Sequence, residues 1–494
     1  MKKLLSFIAL FASVIINAQD HRIPADTTVV TNHTVTIKGK KVSYKAQTGM
    51  QPVFDAKGNA KATLYYTYYH RTDVPNKEKR PLIMSFNGGP GSASVWMHIA
   101  YTGPKVLRID DEGNPIQPYG IKDNPYSVLD VADIVFVNPV NTAYSRPIVK
   151  KDETVDRNYF FGINADAKYL ADWLNNFVTR ANRWQSPKYI IGESYGGTRV
   201  MQLAHELQSN QWMYLNGVIM VSPADYLLLR TDSSEDYAIN FPYYTAAAWY
   251  HKMLPQKLQQ QDLLPTLNES ENFAINQLLP ALAKGGYISE NEKQTIAEKM
   301  AYYSGIKKEV ILQHNLELPR SYFWKELLRD TAGKTIGRLD SRYLGIDRRE
   351  TGSKPDYSPE LVSWLHSFTP AINYYIKNVL KFNTDVKYNV FGSVYPWDFT
   401  KNNARENLRK AMAQNPYLNV LVQSGYYDGA TTYSAAKYTL GKIDPSGKLK
   451  ERLSFKGYRS GHMMYLRKED LQKANEDLRI FIEKSSKNIG AAKY

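Results

Sequence analysis

The chain has 494 residues, a formal charge of +15, 43% hydrophobic and 22% charged residues, and no cysteine. That length and balance exclude a disordered or fibrous chain and predict one large domain with an insertion, or two domains. The missing cysteine excludes disulfides, thiolate catalysis, thiolate-bound metal and lipid on an N-terminal cysteine, while lysine and arginine are spread along the chain with no recognition motif, so no nucleic-acid partner is expected.

In chain order, Lys2 and Lys3 precede an apolar run over 4–16, and Ala18 offers a small residue before Gln19. This pattern predicts a signal peptide over 1–18 and export to the periplasm or the extracellular medium. The run is shorter than the roughly 20 apolar residues that span a bilayer, and no later run is long enough, so no stable membrane insertion is expected after cleavage. Residues 27–86 read as β-rich, with meander strands near 34–37, 41–46 and 62–69 leading to a short apolar strand at 82–86. A strand at 134–137 follows, then a helix over 164–183 with Leu170, Trp173, Leu174, Phe177 and Val178 on one face. A strand at 189–191, a helix at 198–208 and a strand at 215–221 continue the alternation, which predicts a largely parallel sheet covered on both faces. From 225 to 394 the rhythm is lost; helical aromatic patches at 243–253, 289–303 and 322–328 predict a mainly helical cap insertion. Beyond it come a strand at 418–422, a helix at 433–440, a strand at 453–458 and a last helix at 468–484. The expected organisation is a signal at 1–18, core at 19–224, cap at 225–394 and core again at 395–494.

The pentapeptide Gly192-Glu193-Ser194-Tyr195-Gly196 has the form G-x-S-x-G between a predicted strand and a predicted helix. A nucleophile on so tight a turn needs small neighbours, because the backbone is strained and closely packed while the hydroxyl stands clear. Together with the alternating elements, this predicts the α/β-hydrolase fold and makes Ser194 the candidate nucleophile. A serine hydroxyl needs a base and an orienting acid, which in this fold follow in the order acid, then histidine, after late strands. Asp428 and His462 occupy such places, with Asp444 as a weaker substitute for the acid. An oxyanion hole takes one N–H from the residue after the nucleophile, Tyr195, and one from an early glycine loop, here 87–91, with Gly89 as donor. No metal cluster or nucleotide loop is present, so no metal and no cofactor are expected.

Three stretches, 86–92 (Phe-Asn-Gly-Gly-Pro-Gly-Ser), 192–197 and 461–463 (Gly-His-Met), together resemble the serine carboxypeptidase family, and Asn138-Pro139-Val140-Asn141-Thr142 is similar to its D-P-V-G-T stretch. The resemblance implies peptide substrates trimmed from the C-terminus through an acyl-enzyme on Ser194. It also implies that Asn87, Gly88 and Glu193 hold the substrate's free carboxylate. The sequence departs from the family at Ser85, Ser92 and Asn138, and at Tyr101, which aligns with a second acid. The changes at Ser85 and Tyr101 keep a carboxylesterase or acyltransferase open, with a non-catalytic exported binding protein as a third reading. Of the insertion, Tyr243, Tyr244, Trp249 and Tyr250 are candidates for pocket walls, although packing is the commoner role of such aromatics.

Overall fold

The computed structural model describes residues 23–149, 153–225, 229, 231–400, 402–486 and 491. The expected signal segment lies outside them. Three long strands, β1 (Thr27–Ile37), β2 (Lys40–Phe54) and β3 (Ala60–Arg71), form the antiparallel meander, each longer than the sequence pattern marks. Burial alternates along β1 and the first half of β2, a pattern that tolerates polar positions, whereas the second half of β2 and nearly all of β3 are buried on both faces. Then come β4 (Leu82–Phe86), the short helix α1 (Val95–Ala100), a small hairpin of β5 (Lys105–Leu107) and β6 (Ile121–Asp123), β7 (Asp133–Val137) and the two-residue β8 (Arg146–Pro147). Helix α2 (Ile163–Arg180), β9 (Lys188–Glu193), helix α3 (Tyr195–Asn210) and β10 (Gly217–Val221) complete the first half.

Helix α4 (Ser234–Tyr250) opens a run of helices that includes Leu263–Phe273, Glu290–Ser304 and Pro359–Tyr374. A small hairpin of β11 (Thr335–Ile336) and β12 (Leu344–Gly345) interrupts them. Sheet building resumes with β13 (Asn419–Gly425) and β14 (Leu453–Tyr458), and the helix Lys468–Ser486 packs last. The helices Pro359–Tyr374 and Ala404–Gln414 carry no sequence expectation of their own; the first contains Pro370, which masks its period.

The strand order is β1-β2-β3-β7-β4-β9-β10-β13-β14, with β8 on β3. From β7 to β14 every neighbouring pair is parallel. Alternate residues point to opposite faces: Ile83, Ile191, Ile219 and Leu421 enter one hydrophobic cluster, whereas Met84, Ile190, Met220 and Val422 enter another beneath α2 and α3. Both faces are therefore covered, which is why the central strands read as continuous apolar runs. The helical run has its own cluster around Phe241, Tyr244 and Phe323. Among the described residues, no helix is long and apolar enough to cross a membrane.

Candidate active site

Strand β9 ends at Glu193 and helix α3 begins at Tyr195, leaving Ser194 between them with φ 59° and ψ −124°. A side-chain-bearing residue rarely adopts such a conformation, so neighbouring bonds must hold it. The Ser194 N–H donates to Val221 O at 2.9 Å, and its carbonyl accepts from Gly197 N at 2.8 Å and Ala224 N at 3.0 Å. The spacing of the two motif glycines has a steric cause: a Cβ on Gly192 would stand 2.0 Å from Gly196 O. A Cβ on Gly88 would likewise meet Tyr195 N at 2.5 Å, so the early glycine loop lies directly against the amide that starts α3. Gly89 in that loop has φ +104°, a conformation glycine alone takes without cost. Gly89 and Tyr195, the two expected N–H donors, are thus on abutting segments.

Asp428 and His462 come from the loops after β13 and β14. His462 Nδ1 donates to Asp428 Oδ2 at 2.7 Å, and both residues are buried. The other carboxylate oxygen accepts from Ala430 N at 2.9 Å and Thr431 N at 3.0 Å. Thr431 Oγ1 stands 2.7 Å from Asp428 Oδ2, 3.0 Å from His462 Nδ1 and 2.9 Å from Ser222 O, bracing acid and base together. Burial opposes an imidazolium here, but the Asp428 charge, its hydrogen bond and Glu193 outweigh it and raise His462 above its ordinary value. Ser194 and His462 line the same cavity; among the described residues no hydrogen bond joins them, as is common in substrate-free hydrolases, where that bond tightens on binding. Asp444 instead accepts from Ser446 Oγ in its own turn.

Glu193 is buried, and burial pushes its carboxyl up to about 7. One oxygen accepts from Asn87 Nδ2, the other from the Tyr465 hydroxyl at 2.7 Å. Tyr101, at the position of the family's second acid, stacks on Tyr465 with ring centroids 4.9 Å apart, and its own hydroxyl donates to Gln423 Oε1 at 2.6 Å. A tyrosine hydroxyl therefore stands against Glu193. Of the other departures, Ser92 Oγ accepts from Trp96 Nε1 at 2.8 Å, and Asn138 accepts from Ser94 N at 2.9 Å while donating to Tyr65 O, whereas the Ser85 hydroxyl is buried without a hydrogen-bond partner among the described residues.

Arg199 on α3, which the sequence does not single out, is fully buried and donates to Asp166 Oδ2 at 2.6 Å. It also donates to the carbonyls of Asn87 and Pro90 in the glycine loop. The elbow helix and the loop are thereby clamped together.

Ser194, His462, Asn87, Gly88, Gly89 and Glu193 share one cavity of about 380 Å³. Its apolar walls include Trp96, Leu339, Leu361, Trp364, Phe391 and Met463. The four insertion aromatics named as candidate walls are not among them, which agrees with the packing role. Tyr243 and Tyr244 pack into the helical core, where Tyr244 stacks on Phe323 at 4.3 Å, and Trp249 and Tyr250 lie further out. Large aromatics settle where most area is buried, and here that is between helices. Thr431 and Tyr465, each three residues beyond a candidate catalytic residue, were within reach of a search around those residues; the walls other than Met463 were not.

A parallel sheet with helices on both faces and a serine on the strained turn after a central strand defines an α/β-hydrolase. Its fold matches the prohormone-processing carboxypeptidase Kex1(delta)p from Saccharomyces cerevisiae with a TM-score of 0.52 and 15% identity, over 90% of this chain and 92% of that one. The serine carboxypeptidase family matches residues 38–467, and the chain belongs to that family. Serine carboxypeptidase-like 31 of Arabidopsis thaliana is 26% identical over 264 residues, which are 50% of this chain and 48% of that protein. Serine carboxypeptidase-like 36 of the same plant is 30% identical over 193 residues, 37% of this chain and 36% of that protein. Each match spans less than half of the curated relative.

Proposed function

We propose that this protein is a serine carboxypeptidase that removes the C-terminal residue of peptides. Ser194 Oγ attacks the last peptide carbonyl while His462, oriented by Asp428, takes its proton; the N–H groups of Gly89 and Tyr195 receive the oxyanion. His462 then protonates the leaving amine, and water activated by the same imidazole releases the acyl group from Ser194. Asn87, Gly88 and Glu193 hold the substrate's free carboxylate. The observation that carries this reading is Glu193, a buried carboxyl in the cavity of the candidate nucleophile, raised enough to keep a proton near neutral pH and share it with a carboxylate. A peptide-library digest read by mass spectrometry tests it. Residues should leave stepwise from the C-terminus, and internal cuts or intact peptides would refute it.

Two opposed titrations set the expected pH dependence. His462 must be neutral to act as base, so activity falls as pH drops through its raised value. Glu193 must be protonated to hold a carboxylate, so KM rises as pH climbs through about 7. The two groups feel each other, and the limbs belong to the pair. A narrow bell near neutrality is the expected profile of kcat/KM. In Glu193→Gln the alkaline rise in KM disappears, while the acid limb stays close to where it was, because Glu193 is already uncharged when His462 gains its proton in the binding-competent form. An unchanged profile would remove Glu193 from substrate binding.

The Tyr101 and Tyr465 arrangement favours a second reading, a carboxylesterase or acyltransferase. Hydrolysis of neutral esters, indifferent to Glu193→Gln, would select it. We also propose that residues 225–394 act as a cap over the site and that the protein works after export. N-terminal sequencing of the protein recovered from cells or medium should then begin at Gln19; a start at Met1 would count against cleavage.

A further inference from the structure

The hairpin between β11 and β12 enters the cavity from the helical half of the molecule. Its backbone is stitched to both loops that carry the acid and the base: Gly429 N donates to Arg338 O at 3.0 Å, His462 N to Leu339 O at 2.7 Å, and Ser341 N to Tyr427 O at 2.9 Å. From below, Leu339 N donates to the buried Glu360 Oε1 at 2.8 Å. Within the hairpin, Asp340 is neutralised by Arg342, whose Nη2 donates to Asp340 Oδ2 at 2.7 Å. Arg338 is treated differently. Its exposed side chain lines the same cavity as Ser194, Glu193 and His462, and among the described residues it makes no hydrogen bond or ion pair. Glu360, the acid beneath it, is pushed by burial up to about 7 and so leaves the guanidinium uncompensated below that pH.

A cation held by a fixed backbone, beside tryptophan and leucine walls, is a ready receptor for a planar anion, since the guanidinium fork matches a carboxylate in two parallel hydrogen bonds. We propose that Arg338 binds a carboxylate of the substrate's last residue, supplied either by the free C-terminus or by an acidic side chain. This deepens the carboxypeptidase reading and rests on it. It also gives the hairpin a double duty: its carbonyls position the loops of Asp428 and His462 while its one unpaired charge selects what is cut.

The test compares the intact protein with Arg338→Gln and Arg338→Lys on blocked dipeptides ending in glutamate, in glutamine and in glutamine amide. If the side chain is the source, Arg338→Gln loses about 10- to 100-fold in kcat/KM on the glutamate substrate alone, mostly through KM. If the C-terminal carboxylate is the source, the glutamate and glutamine substrates lose equally and the amide is unaffected. Arg338→Lys recovers part of either loss. Equal values for the intact protein and Arg338→Gln on all substrates would overturn the proposal. A second readout is independent of peptidase activity: free glutamate or glutamine should slow fluorophosphonate labelling of Ser194 in the intact protein and do so less in Arg338→Gln. If the intact protein labels but trims no peptide, the carboxypeptidase reading fails, and this protection alone decides whether Arg338 is an anion site; equal protection in both proteins rejects it.

Discussion

Ser194→Ala should cost on the order of 10⁴-fold or more in kcat while leaving the protein folded. Ser194 carries the one aliphatic hydroxyl of residues 192–196, and the His462 pairing with Asp428 at 2.7 Å needs nothing from the serine. The turn is held by main-chain bonds to Val221, Gly197 and Ala224 that alanine also makes. Thermal unfolding should therefore move little, fluorophosphonate labelling should vanish, and KM should change far less than kcat. Peptide trimming at an undiminished rate would exclude Ser194 as nucleophile and with it the acyl-enzyme. An intact protein that neither labels nor trims would instead support the non-catalytic reading.

Arg199→Met is expected to lower stability by about 3–5 kcal/mol, because it strands a buried carboxylate. Asp166 and Arg199 are both 0% exposed, and burial already pushes the Asp166 carboxyl upward in spite of the guanidinium beside it. Without Arg199 the remaining partner of Asp166 is the Tyr169 hydroxyl at 3.1 Å. The double variant Arg199→Met with Asp166→Leu should regain much of the lost stability, since a buried ion pair stabilises little beyond well-packed apolar residues. Activity should not return with it. The carbonyls of Asn87 and Pro90 would still lack their donor, and the glycine loop that carries Gly89 would no longer be clamped to α3. Denaturant midpoints measure the first effect and kcat the second. Joint recovery of both would reduce Arg199 to a structural residue.

The fold was largely readable because its signals are local. The central strands are buried on both faces and show as apolar runs, and α2 shows its stripe at helical spacing. The meander strands run longer than their apolar pattern, since β1 has polar residues on an open face and β2 and β3 bury polar ones such as Thr48, Gln51, Thr63 and Thr67. Helix Pro359–Tyr374 falls in the stretch read as mainly helical, but its bounds are not legible because Pro370 sits inside it and interrupts the period.

What the sequence by itself determined is whatever five or six neighbouring residues must satisfy alone. A serine at φ 59° with a glycine two residues before it, at a place where a Cβ would collide with Gly196 O, is such a requirement. So are the short segments that place Asp428 just after β13 and His462 just after β14. What only the tertiary structure decided is which side chains from distant segments meet: Tyr465 against Glu193, Arg199 under the glycine loop, Trp364 and Phe391 as walls, and Arg338 lining the same cavity as Ser194. Those contacts follow from how the helical half packs on the sheet, a balance of buried area and paired charge summed over the whole molecule, and no period or spacing along the chain records it.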